Sequence, residues 1–219
     1  PQFIHWLESQ GFLAEGLKKA FEESNFRDTE FRYDDNTYPE TIYDIDQLVE
    51  MHGKKFEDLR LSINRFKRNY GDRIKLISYN PSKHKEEAQQ LLNKWAGYME
   101  SKLNETKKEV IRAHNFCFEE KVKNKIRFVA IDKVSKRIIA FSYIIPLKNV
   151  LFYNAIFQDY KYDNLKKWIL VKTIQLLGKD KYKLLNLQGS ETNALNTFKQ
   201  KFRPIREINK KHLIYTGLN

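Results

Sequence analysis

The chain has 219 residues and a formal net charge of +12, from 40 Lys and Arg against 28 Asp and Glu. Its 41% hydrophobic and 14% aromatic residues suffice for a folded core, which excludes disorder over the whole chain. No apolar run approaches the ~20 residues of a membrane-spanning helix. The start lacks a basic segment followed by an apolar stretch, which predicts no signal peptide. Because Cys117 is the single cysteine, there is no internal disulfide, and we expect a reducing, cytoplasmic location.

The basic character of the chain indicates an anionic partner. A pI near 9.5 favours RNA, DNA, a phosphate-bearing cofactor or an anionic membrane surface. A Lys-rich surface that follows from an AT-rich coding bias would give the same composition. Charge alone therefore does not name the partner.

The first part of the chain is predominantly helical in its apolar pattern. Helices are predicted where apolar residues recur every three or four positions, over 8–24, 54–70, 83–102 and 105–122. Strands are predicted at 42–46 and 74–79, and the polar stretch 25–38 is a loop with a short strand candidate at 31–33.

The pattern changes to strands in the second half. Strands are predicted at 127–132, 138–146, 150–157, 184–188 and 212–215. A buried helix at 165–177 and a basic helix at 195–202 lie between the last of these strands. This order indicates an α/β or α+β fold with a mixed sheet.

Two blocks of sequence carry a resemblance to a known family. The first is Ile42-Tyr43-Asp44 through Gly53-Lys54-Lys55-Phe56, followed by Arg60, Ile63-Asn64 and Phe66. The second is Leu184-Leu185-Asn186-Leu187-Gln188-Gly189, followed by Phe198-Lys199-Gln200-Lys201-Phe202 and Arg203-Pro204. From Thr41 onward the sequence resembles the C-terminal domain of lysyl-phosphatidylglycerol synthetases, relatives of the Fem-type aminoacyl-tRNA-dependent transferases.

The resemblance implies a GNAT-like acyltransferase fold, with a central mixed, mostly antiparallel sheet flanked by helices. We therefore expect a GNAT-like domain over 41–219, preceded by a helical remnant or N-terminal extension over 1–40. Members of the family generally carry a second, N-terminal lobe of the same fold. Since about 40 residues are too few for such a lobe, we expect either a truncated chain or a single-lobe variant.

The resemblance also implies an acyltransferase that moves an aminoacyl group from aminoacyl-tRNA to an amine or hydroxyl acceptor. The acceptor is a small molecule, a peptide or a lipid, and peripheral contact with a membrane stays open. CoA-dependent relatives bind pyrophosphate on a Gly-rich loop, but the equivalent loop here, Gln158–Asn164, has no glycine. The alternatives are an N-acyltransferase that uses acetyl-CoA or another acyl-CoA, and a non-catalytic RNA-binding domain.

The candidate catalytic residues are Lys199, Glu191 and Asp159. The family resemblance makes Lys199 a candidate for stabilising oxyanion charge. Glu191 or Asp159 could accept a proton, and Gly189 with Ser190 could line the acceptor pocket at the end of a strand. The alternative is an ordinary strand-to-helix turn with a Ser/Glu cap, which we favour for the individual residues.

The remaining candidates are polar residues for substrate binding. Asn186 is either a substrate contact or a satisfied polar group beside the core. Arg60 and Asn64 share a helix face; Arg60 could bind phosphate or fix the helix to the sheet, and for Asn64 we favour the structural role. Lys201 and Arg203 are expected to meet solvent or RNA phosphates.

No metal site or nucleophilic triad is predicted. The five histidines are scattered along the chain, with no pair at the spacing of metal ligands. His114 and Cys117 are the one pair of possible metal ligands that lie close together in the sequence. Their place on an apolar helix favours packing in the core over metal binding. Cys117 has no evident activating base, so we expect an inert thiol.

Overall fold

The computed structural model describes residues 31–34, 38–103, 106–120, 124–178, 180–190, 192–208 and 212–215. The chain divides into two compact units, residues 38–208 and residues 1–37 with 209–219. Within the second unit, strand β1 (Phe31–Asp34) pairs antiparallel with strand β9 (His212–Tyr215). Both strands agree with the sequence patterns, whereas the predicted helix 8–24 lies outside the described residues.

The larger unit is built on one seven-stranded sheet. Its strands are β2 (Glu40–Asp44), β3 (Ile74–Ser78), β4 (Ile126–Asp132), β5 (Arg137–Leu147), β6 (Val150–Gln158), β7 (Leu184–Asn186) and β8 (Arg206–Ile208). They lie in the order β3-β4-β5-β6-β7-β2-β8. Every neighbouring pair is antiparallel except β6 and β7, which run parallel. The predicted fold class, a mixed and mostly antiparallel sheet flanked by helices, is confirmed.

Helices cover both faces of this sheet. They are α1 (Ile45–Glu50), α2 (Glu57–Tyr70), α3 (Pro81–Leu103), α4 (Lys107–His114), α5 (Leu165–Leu177) and α6 (Asn193–Gln200), with 3-10 turns at Lys54–Phe56 and Asn115–Phe118. The core under α1, α2 and α5 includes Phe66, Trp168 and Ile144. A second core under α3 and α4 includes Trp95, Phe141 and Phe157.

The periodic apolar faces explain why these helices pack as they do. In α2, Leu59, Ile63 and Phe66 recur every three or four residues and are all buried, while Leu61 is 57% exposed. Phe66 packs on Trp168 of α5 with the ring centroids 4.8 Å apart. Burial of this apolar stripe against α5 fixes the position of α2 on the sheet.

The sequence pattern predicts neither α1 nor β8, and the strand predicted at 184–188 ends at Asn186. Two further predicted elements differ from those observed. The strand predicted at 42–46 ends at Asp44 because the Asp44 side chain accepts a hydrogen bond from the Gln47 N–H at 2.9 Å and so caps α1. The helix predicted over 105–122 spans only Lys107–His114. It gives way to the 3-10 turn at Asn115–Phe118, whose Cys117 and Phe118 are both buried.

A buried carboxylate ties the start of β3 to the end of β4. Asp132 accepts hydrogen bonds from Arg73 Nε at 2.7 Å, Tyr162 Oη at 2.8 Å and Ser135 Oγ at 2.9 Å. These donors, Arg73 first, hold the pKa of Asp132 well below its usual range. The network fixes Tyr162, and with it the segment that leads into α5.

Candidate active site

Strands β6 and β7 diverge after a short stretch of pairing. The parallel ladder joins only Val150–Phe152 to Leu184–Asn186. Beyond it β6 continues to Gln158, while the chain after β7 turns away toward α6. A cavity of about 250 Å³ lies beside this divergence. Its lining comes from α3, α4, β6, α5, the 187–189 segment and α6, and includes Trp95, Met99, His114, Asn154, Lys166, Leu170, Leu187, Leu195, Phe198 and Lys199.

A β-bulge shapes the cavity wall. Tyr143 of β5 pairs with Ala155, and the next residue, Ile144, pairs with Tyr153, so Asn154 has no residue opposite it. Such an extra residue bends a strand and reorients its side chain. Asn154 Oδ1 and Trp95 Nε1 are both buried and, among the described residues, find no hydrogen-bond partner. Two residues of the cavity wall thus carry an unused hydrogen-bond acceptor and an unused donor. Such a pair favours a ligand that has polar groups.

Lys199 lies in this wall and is 6% exposed. Its Nζ donates to the carbonyl oxygens of Gln188, at 3.1 Å, and of Gly189. The Tyr43 hydroxyl donates to the Lys199 carbonyl at 2.9 Å. Lys199 therefore brings positive charge to the cavity and also fixes the chain that follows β7.

Lys166 is a second amine in the cavity, and it is not among the candidates that the sequence pattern indicates. It lies in the first turn of α5, and its Nζ is 5.0 Å from the ring centre of Phe198. Burial lowers the pKa of Lys166 to about 8. The amine can therefore lose and regain a proton near neutral pH, as a general base must.

One feature of the sequence could have pointed to Lys166. Lys166 and Lys167 stand in the first turn of a helix that has no acidic residue there. The helix dipole disfavours cations at an N-terminus, so two lysines at this place need another explanation. Lys167 donates to Ser62 Oγ at 2.7 Å and to Asn164 Oδ1 at 3.2 Å, whereas Lys166 lines the cavity.

The segment after β7 is held by hydrogen bonds from within the fold. Asn186 is buried, donates to Glu40 Oε2 at 3.0 Å and accepts from the Gln188 N–H at 2.6 Å. Ser190 exchanges main-chain hydrogen bonds with Tyr38. A Cβ on Gly189 would lie 2.9 Å from the Tyr38 carbonyl oxygen. Gly189 lines the cavity, while Asn186 and Ser190 shape the turn beside it; Glu191 lies outside the described residues.

Asp159 is not in the cavity with Lys199. Its carboxylate lies 2.6 Å from Lys94 Nζ and faces a separate groove that also includes Glu87 and Arg137. Burial acts to raise the pKa of Asp159, but the hydrogen bonds from Lys94 and from the Lys161 N–H outweigh it, so the pKa is lowered. The structure does not bring this candidate proton acceptor together with Lys199.

The other predicted binding residues lie outside the cavity lining. Arg60 donates to the Met51 carbonyl and, at 2.7 Å, to the Gly53 carbonyl, so it fixes the turn before α2. Asn64 and Lys201 are exposed. Arg203 is also exposed, and its Nε donates to the Lys55 carbonyl at 2.7 Å.

His114 lines the cavity, and Cys117 is buried in the core beside it. His114 packs edge-on against Trp95, with ring centroids 5.1 Å apart, and its Nδ1 lies 2.8 Å from the Val110 carbonyl oxygen. Burial raises the pKa of Cys117 to about 12, which keeps the thiol protonated. Within the described part of the chain, no three His, Cys, Asp or Glu side chains are grouped to bind a metal.

Comparison with known proteins identifies the family. Residues 25–215 match the family described as "Phosphatidylglycerol lysyltransferase, C-terminal". The chain belongs to this family. The resemblance expected from the two sequence blocks is thereby confirmed. No curated protein matches the chain.

Solved structures share the fold of this family member at low sequence identity. A conserved protein of unknown function from Bacteroides thetaiotaomicron has 19% identity and a TM-score of 0.70, over 90% of this chain and 66% of that one. L-PGS from Bacillus licheniformis has 16% identity and a TM-score of 0.57, over 100% and 72%. FemX has 10% identity and a TM-score of 0.54, over 92% and 66%. The chain thus spans about two thirds of the length of these structures.

None of the helices among the described residues combines the length and apolar character that a membrane crossing requires.

Proposed function

We propose that the chain is an aminoacyltransferase that moves an aminoacyl group from aminoacyl-tRNA to an amine or hydroxyl acceptor in the cavity beside β6 and β7. The observation that carries this proposal is the cavity itself, where Lys166, with its lowered pKa, and Lys199 both line the wall. Membership of a family described as a phosphatidylglycerol lysyltransferase supports aminoacyl transfer as the reaction.

The reaction requires a proton to move as one bond replaces another. The acceptor nitrogen or oxygen forms a bond to the aminoacyl carbonyl carbon, and the ester bond to the ribose oxygen of the donor breaks. Neutral Lys166 takes the proton from the acceptor and returns it to the departing ribose oxygen. The Lys199 ammonium stabilises the negative charge that develops on the carbonyl oxygen.

Hydrogen bonding in the 158–164 loop supports an aminoacyl-tRNA donor over an acyl-CoA donor. CoA-dependent relatives use free loop N–H groups for pyrophosphate. Here the Lys161 N–H donates to the Asp159 carboxylate at 3.1 Å, and the Asp159 N–H donates to the Ile139 carbonyl at 2.8 Å. The Asp159 carboxylate thus already accepts the Lys161 N–H, and its negative charge would repel a pyrophosphate in this loop.

The acceptor and the location follow from the same proposal. The family description names a lipid, phosphatidylglycerol, and the net charge of +12 suits contact with an anionic bilayer surface. A peptide or small-molecule acceptor would use the same chemistry. An aminoacyl-tRNA donor places the reaction in the cytoplasm.

A transfer assay tests the proposal. The protein is incubated with a mixed pool of radiolabelled aminoacyl-tRNAs and total cell extract, and we expect label to move to an acceptor unless the donor is first treated with RNase. Lys199→Met is expected to lower the rate about 10²- to 10³-fold, as loss of an oxyanion contact does.

The matched control is Lys172→Met, because Lys172 lies on α5, the helix that presents Lys166, but does not line the cavity. We expect this variant to transfer at the rate of the unaltered protein. A melting curve for each variant separates lost chemistry from lost folding. Full activity in a folded Lys199→Met protein would exclude the role of Lys199. Absence of any transfer, together with stabilisation by acetyl-CoA, would favour the acyl-CoA alternative; tRNA binding without transfer would favour a non-catalytic domain.

A further inference from the structure

The two ring nitrogens of His114, the last residue of α4, have different surroundings. Nδ1 lies 2.8 Å from the carbonyl oxygen of Val110, one turn earlier in the same helix. Because a carbonyl oxygen can only accept a hydrogen bond, Nδ1 carries the hydrogen of this contact. In the neutral ring Nε2 then has a lone pair and can accept a hydrogen bond. Within the described part of the chain, no group donates to Nε2.

Packing fixes the orientation of this imidazole ring. It meets Trp95 edge-on, with centroids 5.1 Å apart and planes inclined by 72°, and Phe157 at 5.5 Å and 79°. Trp95 is 7% exposed and Phe157 is fully buried. Rotation of the ring would break these contacts together with the hydrogen bond to Val110. The direction of Nε2 is therefore set before a ligand arrives, which lowers the entropy cost of binding.

His114 offers the cavity a different kind of group from its two lysines. Lys166 and Lys199 line the same cavity as His114. The Lys199 ammonium can donate hydrogen bonds but cannot accept one. In the proposed reaction it faces the carbonyl oxygen of the aminoacyl group, while Lys166 takes the proton of the acceptor. Neither role provides for a part of the donor that itself donates hydrogen bonds.

The covalent structure of the donor contains such a part. In every aminoacyl-tRNA derived from a standard amino acid, an amino group is bonded to the carbon next to the transferred carbonyl. When that carbonyl lies beside Lys199, the α-amino group lies in the cavity as well. Its N–H groups need an acceptor there, because burial of an unpaired donor costs free energy. We propose that Nε2 of His114 binds the α-amino group of the aminoacyl donor.

This inference rests on the proposed function and names the residue that recognises one part of its substrate. A hydrogen bond to the α-amino group distinguishes an aminoacyl group from a plain acyl group such as acetyl. A site built to pair with a substrate N–H disfavours an analogue that lacks it, since the protein group is then left unpaired. We therefore expect His114 to contribute to selection of the donor.

The experiment compares two donors that differ only in the α-amino group. One tRNA transcript is charged by an aminoacylating ribozyme, either with the amino acid that the pooled transfer assay identifies or with the analogue in which hydrogen replaces the amino group. The value of kcat/KM for transfer into total cell extract is measured for each donor. We expect the unaltered protein to prefer the aminoacyl donor about 5- to 150-fold.

Two variants separate binding by His114 from its role in packing. The side-chain amide of Gln reaches about as far as Nε2, whereas that of Asn reaches about as far as Nδ1. We expect His114→Asn to abolish the preference by slowing transfer from the aminoacyl donor alone, and His114→Gln to retain most of it. Cys117→Ala is the matched control, because Cys117 is buried in the neighbouring core and does not line the cavity. This variant should use both donors as the unaltered protein does.

Three results would overturn the assignment. They are equal use of both donors by the unaltered protein, an undiminished preference in a folded His114→Asn protein, and equal losses with both donors in that variant, which would indicate packing alone. A melting curve for each variant shows whether it folds. Aminoacyl transfer accompanied by any of these results would refute this inference and leave the proposed function intact. Absence of aminoacyl transfer from every donor would refute both.

Discussion

Lys166 shows how its surroundings change the chemistry of one side chain. A lysine in water has a pKa of about 10.4, and as a cation it cannot accept a proton. In α5 the burial of Lys166 lowers its pKa to about 8, because the charged form loses more hydration than the neutral form. A common surface residue thereby becomes the side chain of the cavity best suited to move a proton.

The pH dependence of transfer tests this role. Only the neutral amine accepts a proton, so we expect the rate to rise as pH increases through about 8, the pKa of Lys166. Lys166→Met should remove this dependence and lower the rate about 10²- to 10⁴-fold. It should not lower the melting temperature, since Met replaces a buried amine that is costly to charge. A variant with an unchanged pH profile would assign the proton transfer to another group.

Packing of α2 on α5 is the main interaction at the scale of elements. It joins the helix that carries the end of the first sequence block, Arg60 to Phe66, to the helix that presents Lys166. Phe66 is fully buried in this contact, against Trp168 and Tyr70. Any loosening of this contact would move Lys166 relative to Lys199.

Replacement of Phe66 tests this contact. We expect Phe66→Ala to lower the free energy of unfolding by about 3–5 kcal/mol, through lost apolar burial and the cavity left behind. Leu61→Ala, on the exposed face of the same helix, should change it by less than about 0.5 kcal/mol. Denaturant titrations followed by circular dichroism measure both. Similar losses in the two variants would mean that α2 is not held by this apolar stripe.

At the scale of the whole molecule, charge is the dominant property. The net charge of +12 raises the local concentration of anions and accelerates their association, without specifying a sequence. The exposed face of α2 carries part of this charge, including Arg65, Lys67 and Arg68. This face could bind the body of an RNA while the cavity binds its end.

Salt dependence tests that interpretation. If about six phosphates are neutralised, tRNA affinity should fall on the order of 10³-fold between about 50 and about 200 mM salt. Changing Lys67 and Arg68 together to Gln should reduce the slope of log affinity against log salt by about 1 to 2. The same change at Lys133 and Lys136, exposed in the β4–β5 turn, should leave it unchanged. Equal slopes in the α2 variant and the unaltered protein would place the RNA on another face.

Most elements of the larger unit could be predicted from the sequence, for a local reason. The stripe of Leu59, Ile63 and Phe66 and the three strands from 126 to 158 have periodicities that residues close in the chain determine. The end of α4 at His114 could not be predicted, because it depends on how Cys117 and Phe118 meet the sheet. Such an end is set by packing partners distant in sequence.

The sequence by itself determined most of the helices and strands, the basic charge and the resemblance to a family, because each depends on residue types and on their spacing along the chain. Only the tertiary structure decided which candidates meet. Lys199 and Gly189 share a cavity with Lys166, whereas Asp159 pairs with Lys94 elsewhere. The reason is physical: the cavity forms where β6 and β7 separate. A pKa lowered by burial exists only once distant segments are packed together.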